Sequence, residues 1–400
     1  MNSMLLIGLI ALIFVVWLRL DYYFGRKKHL RSLNEIKYPL RKSDIELYIV
    51  GEHFYKKLFE DIENSTHSIH VLFYIVKNDP DSDDFLALLI KKAEQGIEVR
   101  LLLDYVGSKS LKKEKIEELK KSGISFSYTH NPAPPYFFYT LQARNHRKIT
   151  VIDGKIGYSG GFNIGKEYLG KDPKLGFWRD YHLRVTSEGV QDLQSQFLRD
   201  WHEATDEDLK TVQAYFPPLS QGTLEHQFLS TYGQSLEGHF LSFIKQAQKE
   251  LMICTPYFIP GKQIQEELVK ARRRGVDIKI LVPMRADHPF VKEASFPYFG
   301  PLLLSGCEIY QYYYGFYHAK VIVVDDKLCD IGTANFDKRS LYLNDEMNCL
   351  IYDKDYIKYV KDTVNDDIRG SMQLTYDKFT QRPISQRGLE AVATMISHFL

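Results

Sequence analysis

Asn145-His146-Arg147-Lys148-Ile149-Thr150-Val151-Ile152-Asp153 leads, after six intervening residues, to Gly160-Gly161-Phe162-Asn163. Tyr317-His318-Ala319-Lys320-Val321-Ile322-Val323-Val324-Asp325 leads, after the same interval, to Gly332-Thr333-Ala334-Asn335. Both stretches obey H-x-K-x4-D-x6-G-[GT]-x-N without an insertion. One His-x-Lys is a solvated strand face and one Gly with an Asn is a turn. Structural need alone does not fix five residue choices twice, so the rest of the chain reads as scaffold for these two copies.

Working outward, the flanks repeat as well. Gly51 to Asn64 has the spacing of an amphipathic helix, and Ser68 to Val76 is a buried strand. A helix over Asp84–Gln95 stops at Gly96, the strand Glu98–Asp104 follows, and a helix near Lys112–Lys121 precedes a strand over Ile124–Tyr128. The second half has the same order: helix Leu236–Lys249, strand Glu250–Ile259, helix Gln263–Arg274, strand Asp277–Val282, then Cys307–Tyr312 before the second motif. Lys91-Lys92-Ala93-Glu94-Gln95-Gly96-Ile97-Glu98-Val99 resembles Lys270-Ala271-Arg272-Arg273-Arg274-Gly275-Val276-Asp277-Ile278. The fold class is therefore α/β: a duplicated unit with sheets covered on both faces and substantial parallel pairing. The join falls between Ala204 and Gln221, where Pro217-Pro218 and Ser220-Gln221-Gly222 break the periodicity.

Within each motif, strand alternation puts His146 and Lys148 on one side, and likewise His318 and Lys320. Ile149, Val151, Val321 and Val323 belong to the opposite face or the next layer. Asp153-Gly154 and Asp325-Asp326 mark hairpin turns, whose returning strands bring Gly160 and Gly332 back beside the histidines. Glycine there permits close backbone approach to a ligand. Two histidines, two lysines and two asparagines converging on one pocket suit a phosphodiester. Lys148, Lys320, Asn163 and Asn335 hold its oxygens, one histidine attacks phosphorus and the other protonates the leaving alkoxide. For Asp153 and Asp325 the residue-level reading is turn capping and strand fixing, although the motif counts them with its catalytic set.

Composition bounds the alternatives. At 44% hydrophobic residues the chain buries a proper core, and a net charge of +1 gives no support to a nucleic-acid binder. Cys254, Cys307, Cys329 and Cys349 form no C-x-x-C pair and read as isolated buried thiols. Met4–Leu18 is an uninterrupted apolar run, extended by Leu20, Tyr22, Tyr23 and Phe24. It lacks the basic start and small-residue cleavage site of a signal peptide and reads as a single-pass anchor. Arg19, Arg26, Lys27, Lys28 and Arg31 follow it, which puts the body on the cytoplasmic side. The expected division is an anchor over 1–25, a basic juxtamembrane linker over 26–44, lobes over 45–210 and 211–354, and a helical tail over 355–400.

The two motifs resemble the paired HKD motifs of the phospholipase D superfamily, from Ile45 to the tail. Within it the chain looks most like bacterial cardiolipin synthases, through the N-terminal membrane segment, Trp178-Arg179-Asp180 and Asn335-Phe336-Asp337-x-Arg339-Ser340. Many such synthases carry two membrane segments; this chain shows one. The resemblance implies two pseudo-twofold lobes around one site, a phosphohistidine intermediate, no metal and no other cofactor. It assigns His146 as nucleophile and His318 as acid/base, an assignment that pseudosymmetry allows to be reversed. It also implies an acidic residue about thirty positions after each histidine to orient the ring: Asp180 for the first and Glu346 for the second. The competing reading of Asp180 is an ion pair with Arg179 or Arg184.

The implied partners are a membrane and a phospholipid, phosphatidylglycerol, with no nucleic acid; the oligomeric state is open. The aromatic stretches Pro134–Tyr139 and Tyr310–Tyr317 suit an acyl-chain entrance, and part of each suits strand core. The expected reaction is transfer of a phosphatidyl group from one phosphatidylglycerol to a second, giving cardiolipin and glycerol. A hydrolytic phospholipase D would use the same motifs with water in the second step, and an HKD nuclease is the more distant alternative.

Overall fold

The computed structural model describes residues 3–32 and 35–398. Residues 1–2 of the expected anchor, 33–34 of the expected linker and 399–400 of the expected tail lie outside the described residues.

In the first lobe, strands β3 (Ser68–Phe73), β4 (Glu98–Asp104) and β5 (Ser125–Thr129) pair in parallel. On the other edge of β3 the sheet continues antiparallel through β6 (Ile149–Ile152), β7 (Ile156–Gly160) and β8 (Phe177–Ser187). The second lobe repeats this order. Strands β10 (Glu250–Cys254), β11 (Asp277–Pro283) and β12 (Glu308–Tyr312) are parallel. From β10 the sheet runs antiparallel through β14 (Val321–Val324), β15 (Leu328–Gly332) and β16 (Asp345–Ile351). Topology thus confirms the duplication. Helix stops repeat too: Gly96 and Gly275 take φ of +87° and +92°, a left-handed conformation that glycine adopts without penalty.

Two strands sew the lobes together. β2 (Arg41–Val50) pairs with β8 and with β9 (Leu224–Tyr232), which in turn pairs with β16. The two-residue β1 (Ile36–Lys37) adds to β9, and β13 (Gly315–Tyr317) runs parallel to the start of β8.

The sheet is buried on both faces, as the unbroken apolar strands require. Leu72, Leu102, Ile149 and Val151 of the first lobe share one core with Met252, Leu281, Val321 and Val323 of the second. That shared core is closed by helix Val190–Thr205, through Leu193 and Phe197, and by helix Lys354–Arg369, through Ile357 and Val360. The outer faces form a separate core in each lobe, around Val71 and Leu101 in the first and Ile253 and Ile280 in the second. All four cysteines are buried and free.

Three expected boundaries fall inside continuous elements. The helix that holds the expected anchor continues past residue 25: it runs Ser3–Ser32, and its most apolar window has a mean hydropathy of 2.1. The linker expected over 26–44 is largely structured, since β1 and the start of β2 lie in the interlobe sheet. The tail expected from 355 begins inside the duplication. Helix Lys354–Arg369 is the counterpart of Val190–Thr205, and β17 (Ser371–Gln373) extends the second sheet on β12. Helix Val291–Ser305, with Pro297 and Pro301 inside it, had no sequence counterpart.

Candidate active site

Each histidine stands just before its strand, on backbone bonded to the opposite lobe. His318 follows β13, and its N–H donates to Arg179 O at 2.7 Å. His146 follows Asn145, which bridges Asp345 in parallel, and its N–H donates to Asp345 O at 2.9 Å. The residue after each of those carbonyls is an acid. His146 Nδ1 therefore meets Glu346 Oε2 at 2.9 Å, and His318 Nδ1 meets Asp180 Oδ2 at 2.5 Å. The expected pairing of each acid with the histidine before it in sequence is thus corrected: the pairs are crossed. The parallel seams β13–β8 and Asn145–Asp345 are the reason. The ion-pair alternative for Asp180 also fails, because Arg179 binds Asp367 and Arg184 binds Asp61 and Glu46.

An ionised carboxylate only accepts, so Nδ1 of each ring carries the proton and Nε2 is left with a lone pair. Burial acts to raise both acids, but neighbouring cations and hydrogen-bond donors outweigh it and hold Asp180 and Glu346 below the usual carboxylate range. Thr333 and Ser340 hydroxyls donate to Glu346 at 2.6 and 2.7 Å, and Tyr181 N–H donates to Asp180 at 2.8 Å.

Burial lowers both histidines to about 4, so the rings are neutral at neutral pH. The next influence differs. Glu346 raises His146, whereas Lys320 lowers His318, with its Nζ 2.7 Å from His318 Nδ1. Lys148 and Lys320 are buried and lowered chiefly by that burial to about 7 and about 8, and each donates to the carbonyl of its own histidine.

Both histidines, Asn163 and Asn335 line one cavity of about 500 Å³, with Tyr74, Trp178, Tyr257, Arg144 and Arg339 also in its wall. Asn163 Oδ1 accepts from Ile75 N–H at 3.1 Å, which turns its amide nitrogen to Tyr168 and the cavity side. The glycines act differently from the expectation of close approach to a ligand. A Cβ on Gly160 would stand 2.5 Å from His182 Cα and 2.6 Å from Tyr181 O, and one on Gly332 would stand 2.5 Å from Met347 O. They make room for the strand that carries the orienting acid.

Asp153 and Asp325 are outside the cavity, which corrects their place in the catalytic set. Asp153 accepts from the N–H groups of Thr66, His67 and Ser68 and from Thr66 Oγ1, at 2.7–2.9 Å. Asp325 accepts from Gln248, Lys249 and Glu250 N–H groups, the last two at 2.8 and 2.9 Å. Each clamps the start of the first strand of its lobe, as residue-level reasoning expected.

Sequence reasoning missed Arg147. Wholly buried, it donates to Asp200 at 2.9 Å, Asp345 at 3.3 Å, Thr231 O at 2.9 Å and Glu346 O at 3.2 Å. Its position inside H-x-K was the only signal, and the second copy has Ala319 there.

Residues 58–201 and 240–368 match the family described as cardiolipin synthase, PLD-like domain. The chain belongs to the cardiolipin synthase family of phospholipase D-like proteins. It is 45% identical over 400 residues, all of both chains, to the minor cardiolipin synthase ClsB of Bacillus subtilis. It is 37% identical over 377 residues to the cardiolipin synthase of Oceanobacillus iheyensis, covering 93% of this chain and 78% of that one. The crystal structure of phosphatidylserine synthase from Haemophilus influenzae Rd KW20 superposes with a TM-score of 0.70 at 18% identity. That match covers 94% of this chain and 100% of that one, a likeness of fold. The family's two matched segments coincide with the two lobes, and the second ends inside helix Lys354–Arg369, well beyond residue 354.

Proposed function

We propose that this chain is a membrane-associated phosphatidyltransferase that makes cardiolipin and glycerol from two molecules of phosphatidylglycerol. The observation that carries the reading is the pair of neutral histidines on one cavity, each with Nδ1 fixed by a carboxylate and Nε2 free to act. Family membership supplies the lipid.

His146 is the nucleophile. The family resemblance carries that assignment: both rings are lowered to about 4, with Glu346 the main influence opposing burial at His146 and Lys320 adding to burial at His318. In the first step His318 takes up a proton on Nε2 from solvent, becoming an imidazolium paired with Asp180. His146 Nε2 attacks phosphorus, the bond to the glycerol oxygen breaks, and His318 gives that oxygen the proton. In the second, neutral His318 takes the proton of the other lipid's terminal hydroxyl. That oxygen attacks phosphorus, and the N–P bond breaks. Lys148, Lys320, Asn163 and Asn335 hold the non-bridging oxygens, and Glu346 and Asp180 keep the ring tautomers. Arg26, Lys27, Lys28 and Arg31, which close the membrane helix, favour a body on the cytoplasmic side.

Purified protein given phosphatidylglycerol vesicles should release cardiolipin and glycerol. His146→Ala and His318→Ala should each cost several orders of magnitude. Phosphatidic acid as the sole lipid product would replace the transferase with a hydrolase, and a near-normal rate in either variant would end the two-histidine mechanism.

A further inference from the structure

We propose that the C-terminal helix Ile384–Ile396 is a second membrane contact, lying in the bilayer interface beside the spanning helix and seating the rim of the cavity on lipid. Ile384, Gly388, Val392 and Met395 recur at intervals of four, four and three, one face of an α-helix. Ile384 and Met395 are 85% and 86% exposed, and Val392, Leu389 and Ile396 are also exposed.

The helix is held firmly by its other side. Ala393 packs with Ile259, Val291 and Ala294, Glu390 accepts from Arg382 at 2.7 and 3.0 Å, and Ser397 accepts from Lys338 Nζ at 2.8 Å. Its apolar face therefore points away from the body. An ordered helix that presents such a face to water needs a cover.

Continuity with the spanning helix identifies the cover as lipid. The exposed apolar side chains of helix Ser3–Ser32 continue through Leu20, Tyr23 and Phe24. Contact with the body begins at Asp21, which is buried and accepts from Tyr139 N–H at 2.8 Å. The lipid–water boundary thus crosses the helix near Asp21–Phe24, in a tyrosine- and phenylalanine-rich segment of the kind that sits at headgroup level. At that level Tyr22 Oη and His398 Nε2 are 2.5 Å apart, and His398 is two residues beyond the C-terminal helix. Arg387 on the flank of the apolar face is exposed and suits anionic headgroups.

The arrangement reaches the site from both sides. The C-terminal helix rests on helix Val291–Ser305, and Val291, with Asp287, His288 and Pro289, lines one rim of the cavity. Leu141 and Gln142 line the other, at the end of the short helix Phe137–Gln142, whose Tyr139 binds Asp21. Both rims hang from elements at the interface.

The test uses the full-length protein in phosphatidylglycerol-containing vesicles and reads position, independently of the reaction assigned above. Ile384→Cys, Met395→Cys and Thr394→Cys each add one exposed thiol to a chain whose own cysteines are buried. Each is labelled with a polarity-sensitive dye. Dyes at 384 and 395 should be shifted to the blue and quenched several-fold more than the dye at 394 by lipids carrying a nitroxide near the headgroup. Equal quenching at all three positions overturns the proposal. So does protection at 384 and 395 with dye self-quenching between chains, which would make a second copy the cover. Independently, the triple variant Ile384→Glu, Val392→Glu, Met395→Glu should lose several-fold turnover on vesicles while keeping turnover of short-chain phosphatidylglycerol dispersed as monomers. A loss of the same size on both overturns it.

Discussion

Glu346 accepts the Nδ1–H hydrogen bond of His146 across two lobes, and Asp180 does the same for His318. At this scale the identities of the reacting groups were legible in the motif spacing, but the partnership was not. An acid placed some thirty residues after a histidine looks local in sequence. The partner is decided by which strand lies beside it, and the parallel seams run between lobes. The crossed geometry has a signed consequence. Burial lowers His146 and Glu346 partly restores it, so Glu346→Gln should lower the pKa of His146 further. Carbethoxylation of each histidine followed against pH by peptide mass spectrometry should show the His146 profile moving to lower pH and the His318 profile standing still. Turnover should fall about 10–100-fold, as for loss of a group that orients a reacting ring. A moving His318 profile with a fixed His146 profile would restore the uncrossed pairing.

Elements were read most reliably where apolar runs are bounded by glycine stops: Glu98–Asp104 is the expected strand residue for residue. The proline-bearing helix Val291–Ser305 and the strands β1 and β2 were invisible, because prolines mask helical periodicity and strand pairing supplies what local pattern lacks. Asp153 and Asp325 act on this scale. Each sits at positive φ, +54° and +52°, and satisfies backbone donors at the entry to a core strand. Those contacts hold both carboxyls below the usual range despite burial, which acts the other way. Asp153→Ala should therefore destabilise the fold by about 1–3 kcal/mol, the loss of several hydrogen bonds to one charged acceptor. The activity of the remaining folded protein should stay within a few-fold of normal. Thermal melting and active-fraction kinetics on the same preparation separate the two. Unchanged melting with a rate as low as that of His146→Ala would return Asp153 to the chemistry.

For the whole molecule, the duplication was legible and its closure was not, since no sequence spacing tells which surfaces of two similar lobes face each other. Neither lobe owns a complete site, so function depends on the seam. Arg147 is the polar centre of that seam: its guanidinium lies over the Tyr232 ring at 4.3 Å and binds Asp200 of the first lobe and Asp345 of the second. It also donates to Glu346 O, the backbone of the acid that orients His146. Arg147→Met keeps most of the volume but removes every donor, leaving Asp200 and Asp345 buried without their shared cation. His130 and Gln196 remain beside them and compensate only in part. The expected loss is about 3–5 kcal/mol, typical of breaking a buried ion pair from one side. Adding Asp200→Asn should recover part of it, because a neutral amide costs less to bury than an unpaired carboxylate. Denaturant unfolding of wild type, Arg147→Met and the double variant measures both terms. If the single variant unfolds at the wild-type midpoint, the lobes are held by the shared apolar core alone. If it unfolds early and the double variant gains nothing, the loss comes from the carbonyls at Thr231 and Glu346, and the seam is fixed through backbone instead of charge.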